Sequence, residues 1–344
     1  MTKSELSVAI IGAGRIAGGY DSDKFQGEEG IFSHAGAYKR SGKFSLDMAF
    51  DLDLQKALEF QKNWDVKKVA KDIVEVYNSK FDVVSVCTPD FSHYEIIRSL
   101  LTNKCCKTIF AEKPLALNAE QIAEVIQLSR QNNINVVVDF QRRFDKNFLM
   151  IQQDIKRSPG NVLALNGYYM KGLEHNGITM IDAITCLCEY PDGVLSYNKI
   201  HNQEINDDSY EFILFYPDFN ITVKTIDSPA HKYNYHIFEI DLLFCNGRKT
   251  INFNSQQIEL KEIIDYSYSG VRVLNDRSPQ KTDTEYKSCL LNAVEYLHAI
   301  TSKGSEHVIN TPEASYNNKL IIEGIKNSFN KQQRIDLKHV IWKK

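Results

Sequence analysis

Glu112-Lys113-Pro114 closes an apolar run, Thr108-Ile109-Phe110-Ala111, and stands just before a stretch with helical spacing. It follows a glycine fingerprint, Gly12-Ala13-Gly14-Arg15-Ile16-Ala17, at a distance that fits several intervening βα units. A lysine at the carboxyl end of a strand, on the same edge as a nucleotide-phosphate turn, can meet whatever the nucleotide reacts with. Within the fingerprint, Gly12 would allow the tight turn and Gly14 would let a pyrophosphate approach the backbone. Ala17 would let helix and strand pack closely. The free N–H groups of the following helix would then hold the phosphates. Asp51 ends the second apolar run, where a carboxylate can take ribose hydroxyls. It lies further from the glycines than the usual ~20 residues, and the Gly-, Asp- and Glu-rich segment 21–30 reads as a loop insertion that explains the excess. Asp51-Leu52-Asp53 offers no arginine or lysine to a 2′-phosphate, which favours NAD(H) over NADP(H). Asp53 reads equally well as the cap of the next helix.

The elements that must position these residues are legible in the hydrophobic pattern. Leu6–Ile11, Ser45–Phe50, Asp82–Cys87, Lys107–Ala111 and Ile134–Val138 read as short strands, with another at Val69. Leu52–Asn63, Phe91–Asn103 and Asn118–Asn132 between them carry helical spacing. Strands apolar on both faces imply a parallel sheet covered by helices on each side, the doubly wound α/β fold. From about residue 160 longer alternating strands follow: Val162–Met170, Val194–Gln203, Ser209–Tyr216, Asn220–Ile226, Tyr235–Phe244 and Lys249–Asn254. Period two with one wet face predicts a large, mainly antiparallel, open-faced sheet in a C-terminal α+β domain. Asn246-Gly247 and Pro217-Asp218 mark turns in it. Helices over Tyr286–Thr301 and Pro312–Phe329 end the pattern, the second capped by Thr311. The expected division is 1–142 for nucleotide binding and 143–344 for substrate binding and oligomerisation, with the last helices able to pack back on the first domain.

Length and composition agree with two soluble domains: 344 residues, 43% hydrophobic and 25% charged. A net charge of −3 and the lack of a polybasic block argue against a nucleic-acid partner. No apolar run reaches membrane-spanning length. The seven cysteines are odd in number and sit mostly in apolar runs, as reduced thiols in a cytoplasm would. Cys186-x-Cys188 and Cys105-Cys106 lack the spaced partners of a zinc site, and no metal is expected.

Taken in order, four motifs resemble the glucose–fructose oxidoreductase, inositol dehydrogenase and rhizopine-catabolism (Gfo/Idh/MocA) family. They are the glycine turn, Cys87-Thr88-Pro89-Asp90 with His93, Ala111-Glu112-Lys113-Pro114-Leu115, and Phe140-Gln141-Arg142-Arg143-Phe144. The resemblance implies an N-terminal Rossmann domain in a cytoplasmic NAD(P)-dependent oxidoreductase acting on sugars, sugar nucleotides or cyclitols. It also implies a homodimer or homotetramer formed through the C-terminal sheet. Gly12, Ala13, Gly14, Arg15, Ile16, Asp51, Thr88, Pro89, His93 and Glu112 would line the cofactor groove. Lys113 would be the catalytic or substrate-binding lysine, with Arg142 among the substrate contacts. Oxidising an alcohol sends hydride to nicotinamide C4 and a proton to a base. A lysine suits the second task when partial burial lowers its pKa. Lys113-Pro114 is a candidate cis bond.

The family's second catalytic element, a helix carrying His-x-x-Asp, departs from pattern. The stretch is His175-Asn176-Gly177-Ile178-Thr179-Met180-Ile181-Asp182, so Asp182 and Gly177 match while Thr179 stands at the histidine position. If one helix covered it, His175, Thr179 and Asp182 would share a face, with Ile178, Ile181 and Ile184 toward the core. His175 then reads either as a site residue or as a loop histidine. Thr179 cannot act as a base but can bind a substrate oxygen. Tyr168 and Tyr169 are weaker candidates, and Arg143 and Tyr233 possible specificity residues. Three functions are open: an NAD(H)-dependent sugar oxidoreductase; an epimerase, dehydratase or glycosidase that keeps NAD bound; and an inactive NAD- or sugar-sensing homologue.

Overall fold

The structure is a computed structural model and describes residues 5–21, 30–157, 162–201, 206–227, 237–252, 256–265, 270–303 and 309–342. Tyr233 and most of segment 21–30 therefore lie outside the described residues. The chain divides into two compact units, Met1–Asp145 with Lys287–Tyr316, and Lys146–Tyr286 with Asn317–Lys344.

The first unit is built on strands β1 (Leu6–Ile11), β2 (Phe44–Phe50), β3 (Lys68–Val69), β4 (Phe81–Val86), β5 (Cys106–Ala111) and β6 (Asn135–Val138). Between them run α1 (His34–Ser41), α2 (Leu54–Trp64), α3 (Ile73–Tyr77), α4 (His93–Asn103) and α5 (Ala119–Asn132). The sheet order is β3-β2-β1-β4-β5-β6, every pair parallel, which is the doubly wound topology expected. The last four residues of β1, β4 and β5 are buried without alternation, as a sheet covered on both faces requires. Four helices start where a short polar side chain accepts from the first turn: Ser33, Asp53, Asp72 and Asn118 cap α1, α2, α3 and α5.

One expected helix is replaced. Instead of an α-helix after the glycine turn there is a five-residue π-helical turn, Arg15–Gly19, in which the Gly19 and Tyr20 N–H groups donate to Gly14 and Arg15 carbonyls at 3.2 and 2.9 Å. Gly18 and Gly19 are poor helix formers, and a Cβ on Gly18 would lie 2.2 Å from the Trp64 indole nitrogen. The chain then turns at Asp21, whose carboxylate accepts from Phe32 N–H at 3.0 Å and from the Ser33 N–H and hydroxyl at 2.8 and 2.5 Å. Gly36 makes room for it, since a Cβ there would sit 2.2 Å from Asp21 Oδ2.

In the second unit α6 (Lys146–Arg157) precedes β7 (Val162–Tyr169), α7 (Ile178–Cys188), β8 (Gly193–Ile200), β9 (Ser209–Phe215) and β10 (Asn220–Thr225). Then come β11 (Glu239–Phe244), β12 (Gly247–Asn252), β13 (Gln257–Asp265), β14 (Arg272–Leu274) and β15 (Gln280–Asp283). Helices α8 (Cys289–Lys303) and α9 (Pro312–Lys331) and strand β16 (Ile335–Asp336) follow, and α8 lies in the first unit. The second sheet runs β14-β13-β12-β11-β7-β10-β9-β8-β16 with β15 on β13. It is mixed: β7 and β10 pair in parallel while their other neighbours are antiparallel. The turn at Asn246 forms, but Gly247 is already the first residue of β12, paired with Phe244, and a Cβ on it would lie 2.7 Å from the Lys261 carbonyl.

Helix α7 starts at Ile178, so the expected continuous helix over His175 to Asp182 is divided. Residues Gly172–Gly177 form a separate π-helical turn. Nor does α7 bury one face only: from Met180 to Leu187 every residue is buried. A helix apolar all round is an interior helix, and here it lies on Gly167 of β7, where a Cβ would meet Met180 Sδ at 2.9 Å. Asp182, 2% exposed, accepts from Asn318 Nδ2 at 2.8 Å, and Thr185 Oγ1 donates to Asn318 Oδ1 at 3.1 Å. Asp182→Ala strands the Asn318 amide in the interior and is expected to lower stability by about 1–3 kcal/mol in urea unfolding. Asp182→Asn, which keeps an acceptor, should lose less.

Candidate active site

The glycine turn sits at the carboxyl end of β1. Gly12 has φ +97°, and a Cβ would lie 2.6 Å from the Cys87 carbonyl oxygen, so β1 and β4 come too close here for any side chain. Gly14 is different: it is exposed, and nothing of the protein lies within 4 Å of where its Cβ would be. The space in front of it is open to a ligand. Asp51 Oδ2 accepts the Ala13 N–H at 2.8 Å and Oδ1 the Asp53 N–H at 2.9 Å, so the acid holds the turn as well as facing solvent. Each oxygen keeps a lone pair for a hydroxyl. Asp53 is the cap of α2. Arg15 is exposed, Ile16 half-buried and Ala17 fully buried. These residues fit a dinucleotide: an open glycine backbone, a carboxylate for ribose and a strand edge.

Two strand ends away, Thr88 is half-buried and Pro89 exposed. His93 is completely buried; its two ring nitrogens lie 2.7 Å from the carbonyl oxygens of Thr88 and Pro114. It therefore brackets the turn after β4 against the turn after β5. Lys113 occupies that second turn, and the Lys113–Pro114 bond is cis. Burial pushes the Lys113 amine below the ordinary lysine range, helped by Arg142, while Glu112, Asp90 and Asp139 pull it back. Arg142, 7% exposed, lies in a 3₁₀ turn over Gln141–Phe144.

Two residues that pattern reading missed complete this cluster. Ala111 and Val138 are register partners in β5 and β6, so the next residues, Glu112 and Asp139, stand side by side at the sheet edge. His34 of α1, with no exposed surface, points its Nε2 at Glu112 Oε1, 3.1 Å away, and lies 3.9 Å from Asp139 Oδ2. Burial raises the Glu112 carboxyl, but the His34 hydrogen bond, the His34 charge, Lys113 and His93 outweigh it and hold it below the usual range. Asp139 is pushed well above its range by burial and by the Glu112 charge, which favours its protonated form. The ligating atoms of His34, Glu112 and Asp139 lie within 4.8 Å of one another. The signal was present for Asp139: like Glu112, it is an acid placed directly after an apolar strand. His34 is a lone residue in a short helix and carries none.

In the second unit, Thr179 is half-buried at the start of α7 and His175 is exposed in the π-helical turn. That turn is clamped. Asp207 accepts from Glu174 N–H at 3.2 Å and His175 N–H at 2.8 Å, and Asp227 accepts from Lys171 N–H at 2.9 Å. Gly172, φ +80°, leaves room for Asp207, which a Cβ would approach to 2.0 Å. Glu174 takes Lys319 at 2.8 Å and Lys326 at 2.7 Å; burial raises its carboxyl, and the two lysines bring it below the usual range. Tyr169 is buried and donates to the Tyr210 carbonyl at 2.8 Å, which makes it a packing residue. None of the seven cysteines forms a disulfide, and burial pushes the Cys188 thiol up to about 12. Among the described residues no helix is long and apolar enough to cross a membrane.

Residues 6–140 match the Gfo/Idh/MocA model, described as an oxidoreductase family with an NAD-binding Rossmann fold. YhhX of Escherichia coli K12, an uncharacterised oxidoreductase, is 28% identical over 45% of this chain and 49% of its own length. A myo-inositol 2-dehydrogenase of Thermotoga maritima is 30% identical over 26% of this chain and 27% of its own. The matches thus span less than half the length of these curated relatives. Among solved structures, an Agrobacterium radiobacter oxidoreductase in complex with NAD+, L-tartaric acid and magnesium has TM-score 0.75 at 15% identity, covering 97% of this chain and 98% of that one. Another neighbour of the same fold is named as NADPH-dependent.

The two fingerprint glycines make opposite predictions. Gly12→Ala meets backbone and a disfavoured φ, and should destabilise the fold by more than about 1–2 kcal/mol. Gly14→Ala meets nothing, and should leave the unfolding midpoint nearly unchanged while weakening dinucleotide binding at least tenfold by calorimetric titration.

Proposed function

From the match of residues 6–140 to the Gfo/Idh/MocA oxidoreductase model, we propose that this chain is an NAD(H)-dependent oxidoreductase acting on a hydroxyl of a sugar, sugar nucleotide or cyclitol. The observation that carries the reading is a half-buried lysine among carboxyl groups on the same sheet edge as the glycine turn. Bound nicotinamide supplies the acceptor or donor for a hydride. The protein has to manage the proton. In the oxidation direction, a neutral Lys113 amine takes the hydroxyl proton as the carbon loses its hydride, leaving a ketone and a lysine ammonium. Burial favours that neutral amine in the resting state. The adjacent Glu112 carboxylate stabilises the ammonium once it forms.

NAD(H) rather than NADP(H) is supported by the charge at the ribose position. Asp51 is fixed to the turn by Ala13, and a 2′-phosphate there would face a carboxylate. The substrate class is supported by the inositol dehydrogenase relative. Thr179 offers a hydroxyl where the family pattern has a histidine, so Lys113 carries the proton work in this reading.

Lys113→Ala is expected to lower kcat/KM for oxidation by about 10²–10⁴-fold, the usual worth of a general base, while NAD affinity changes little. Steady-state kinetics over a panel of sugars and cyclitols, with calorimetric NAD titration of the variant, tests it. A variant as active as the wild type would sink the assignment.

A further inference from the structure

His34 is not among the residues the glycine turn or the lysine motif requires, yet its surroundings are constructed with care. The ring has no exposed surface and lies against Phe110 with centroids 4.5 Å apart. Its Nε2 faces Glu112 Oε1 at 3.1 Å and its Nδ1 faces Ser85 Oγ at 3.1 Å. Tyr38, one helical turn along α1, places its hydroxyl 2.8 Å from the same Ser85 Oγ. A carboxylate can only accept, so Nε2 carries a hydrogen and donates to Glu112. Burial pushes the Tyr38 phenol far up, and its hydroxyl shares the Ser85 hydroxyl with His34 Nδ1. The result is one hydrogen-bonded chain linking Tyr38, Ser85, His34 and Glu112, drawn from α1 and from β4 and the end of β5. Burying four polar side chains costs free energy that an apolar cluster would not. What the chain delivers is a fixed carboxylate next to Lys113.

We propose that His34 is a positioning residue for Lys113: by holding the Glu112 carboxylate in place as an anion, it sets the pH at which the lysine amine gives up its proton. Its catalytic meaning rests on the oxidoreductase reading above, but its physical content does not. The ionisable groups facing the amine are the carboxyls of Glu112, Asp90 and Asp139, with the Arg142 guanidinium of like sign. Those around Glu112 are His34, Lys113 and His93, with Asp139 and the Cys87 thiol also at hand. Without the His34 donor, Glu112 would turn away or share the proton of Asp139. Either change removes a negative charge from beside the amine. The ammonium is then less favoured, and deprotonation moves to lower pH by about one unit or more.

Two substitutions separate this from a role in packing. The amide nitrogen of glutamine reaches where Nε2 stands, and that of asparagine reaches only where Nδ1 stands. His34→Gln therefore keeps the Glu112 contact, and His34→Asn keeps the Ser85 contact alone. The readout is the pH dependence of acetylation of Lys113 in the intact protein, followed by peptide mass spectrometry, since only the neutral amine reacts. His34→Asn is expected to move the midpoint toward acid by about one pH unit. His34→Gln should stay within a few tenths of the wild type, and Glu112→Gln should match His34→Asn. Adding His34→Asn to Glu112→Gln should move it no further. Equal midpoints for the Asn and Gln variants would overturn the proposal. An unmoved midpoint in Glu112→Gln, which leaves His34 untouched, would overturn it too should a His34 variant fail to fold. On the oxidoreductase reading, the acid limb of kcat/KM for oxidation shifts by the same amount. Shifted labelling without turnover on any substrate would reject that reading and leave the His34 role standing; turnover with unshifted labelling would do the reverse.

Discussion

A negative charge kept inside the protein is what the chemistry of the first unit is arranged around. The parallel register of β5 and β6 sets Glu112 and Asp139 next to each other, and two buried carboxylates at that separation cannot both be ionised. The molecule resolves the conflict by giving one of them a donor. Glu112 receives His34, which favours its charged form; Asp139, with one oxygen left without a hydrogen-bond partner, is pushed toward its protonated form. Of the carboxyl groups around Lys113, Glu112 contributes most to holding its ammonium. Burial and the neighbouring guanidinium draw it toward neutrality while that anion restrains it. Changing the balance at any of the three acids or bases changes the other two.

A second constraint is the close approach of β1 to the chain after β4. The Cys87 carbonyl fills the place of a side chain on Gly12, which fixes the glycine turn relative to the strand end that leads to Thr88 and His93. His93 extends the same tie to Pro114. The nucleotide turn, the Thr88 turn and the lysine turn are thus held to one another by backbone contacts and one buried ring. Such an edge can present a cofactor and a proton acceptor in fixed relation without help from long side chains.

Much of this was legible in the sequence. The parallel strands showed because burial on both faces leaves short unbroken apolar runs, and the helix caps Asp53 and Asn118 showed because their chemistry is local. Other features depended on tertiary contacts. The π-helical turn at Arg15–Gly19 follows from Gly18 lying against Trp64, a residue of a different helix. The division of the helix at Ile178 follows from Asp207 and Asp227 gripping residues 171–175, and no periodicity announces that. Strand β13 went unread because its outer half is exposed on successive residues and alternates poorly. His34 carries no motif; it acquires meaning only when α1 is laid across the ends of β4, β5 and β6.

The carboxylate of Asp21 has a consequence of its own. By gathering the Phe32 and Ser33 amides into the hollow left by Gly36, it makes the two ends of the stretch after the nucleotide turn meet at a closed knot. A change in the number of residues between Asp21 and Phe32 is therefore expected to leave α1, and the histidine that it carries, in place. Closing a longer loop adds little, about 0.6 kcal/mol for each doubling of its length. The same knot would serve as an anchorage for grafting a foreign peptide, with the chemistry downstream shielded from whatever is inserted.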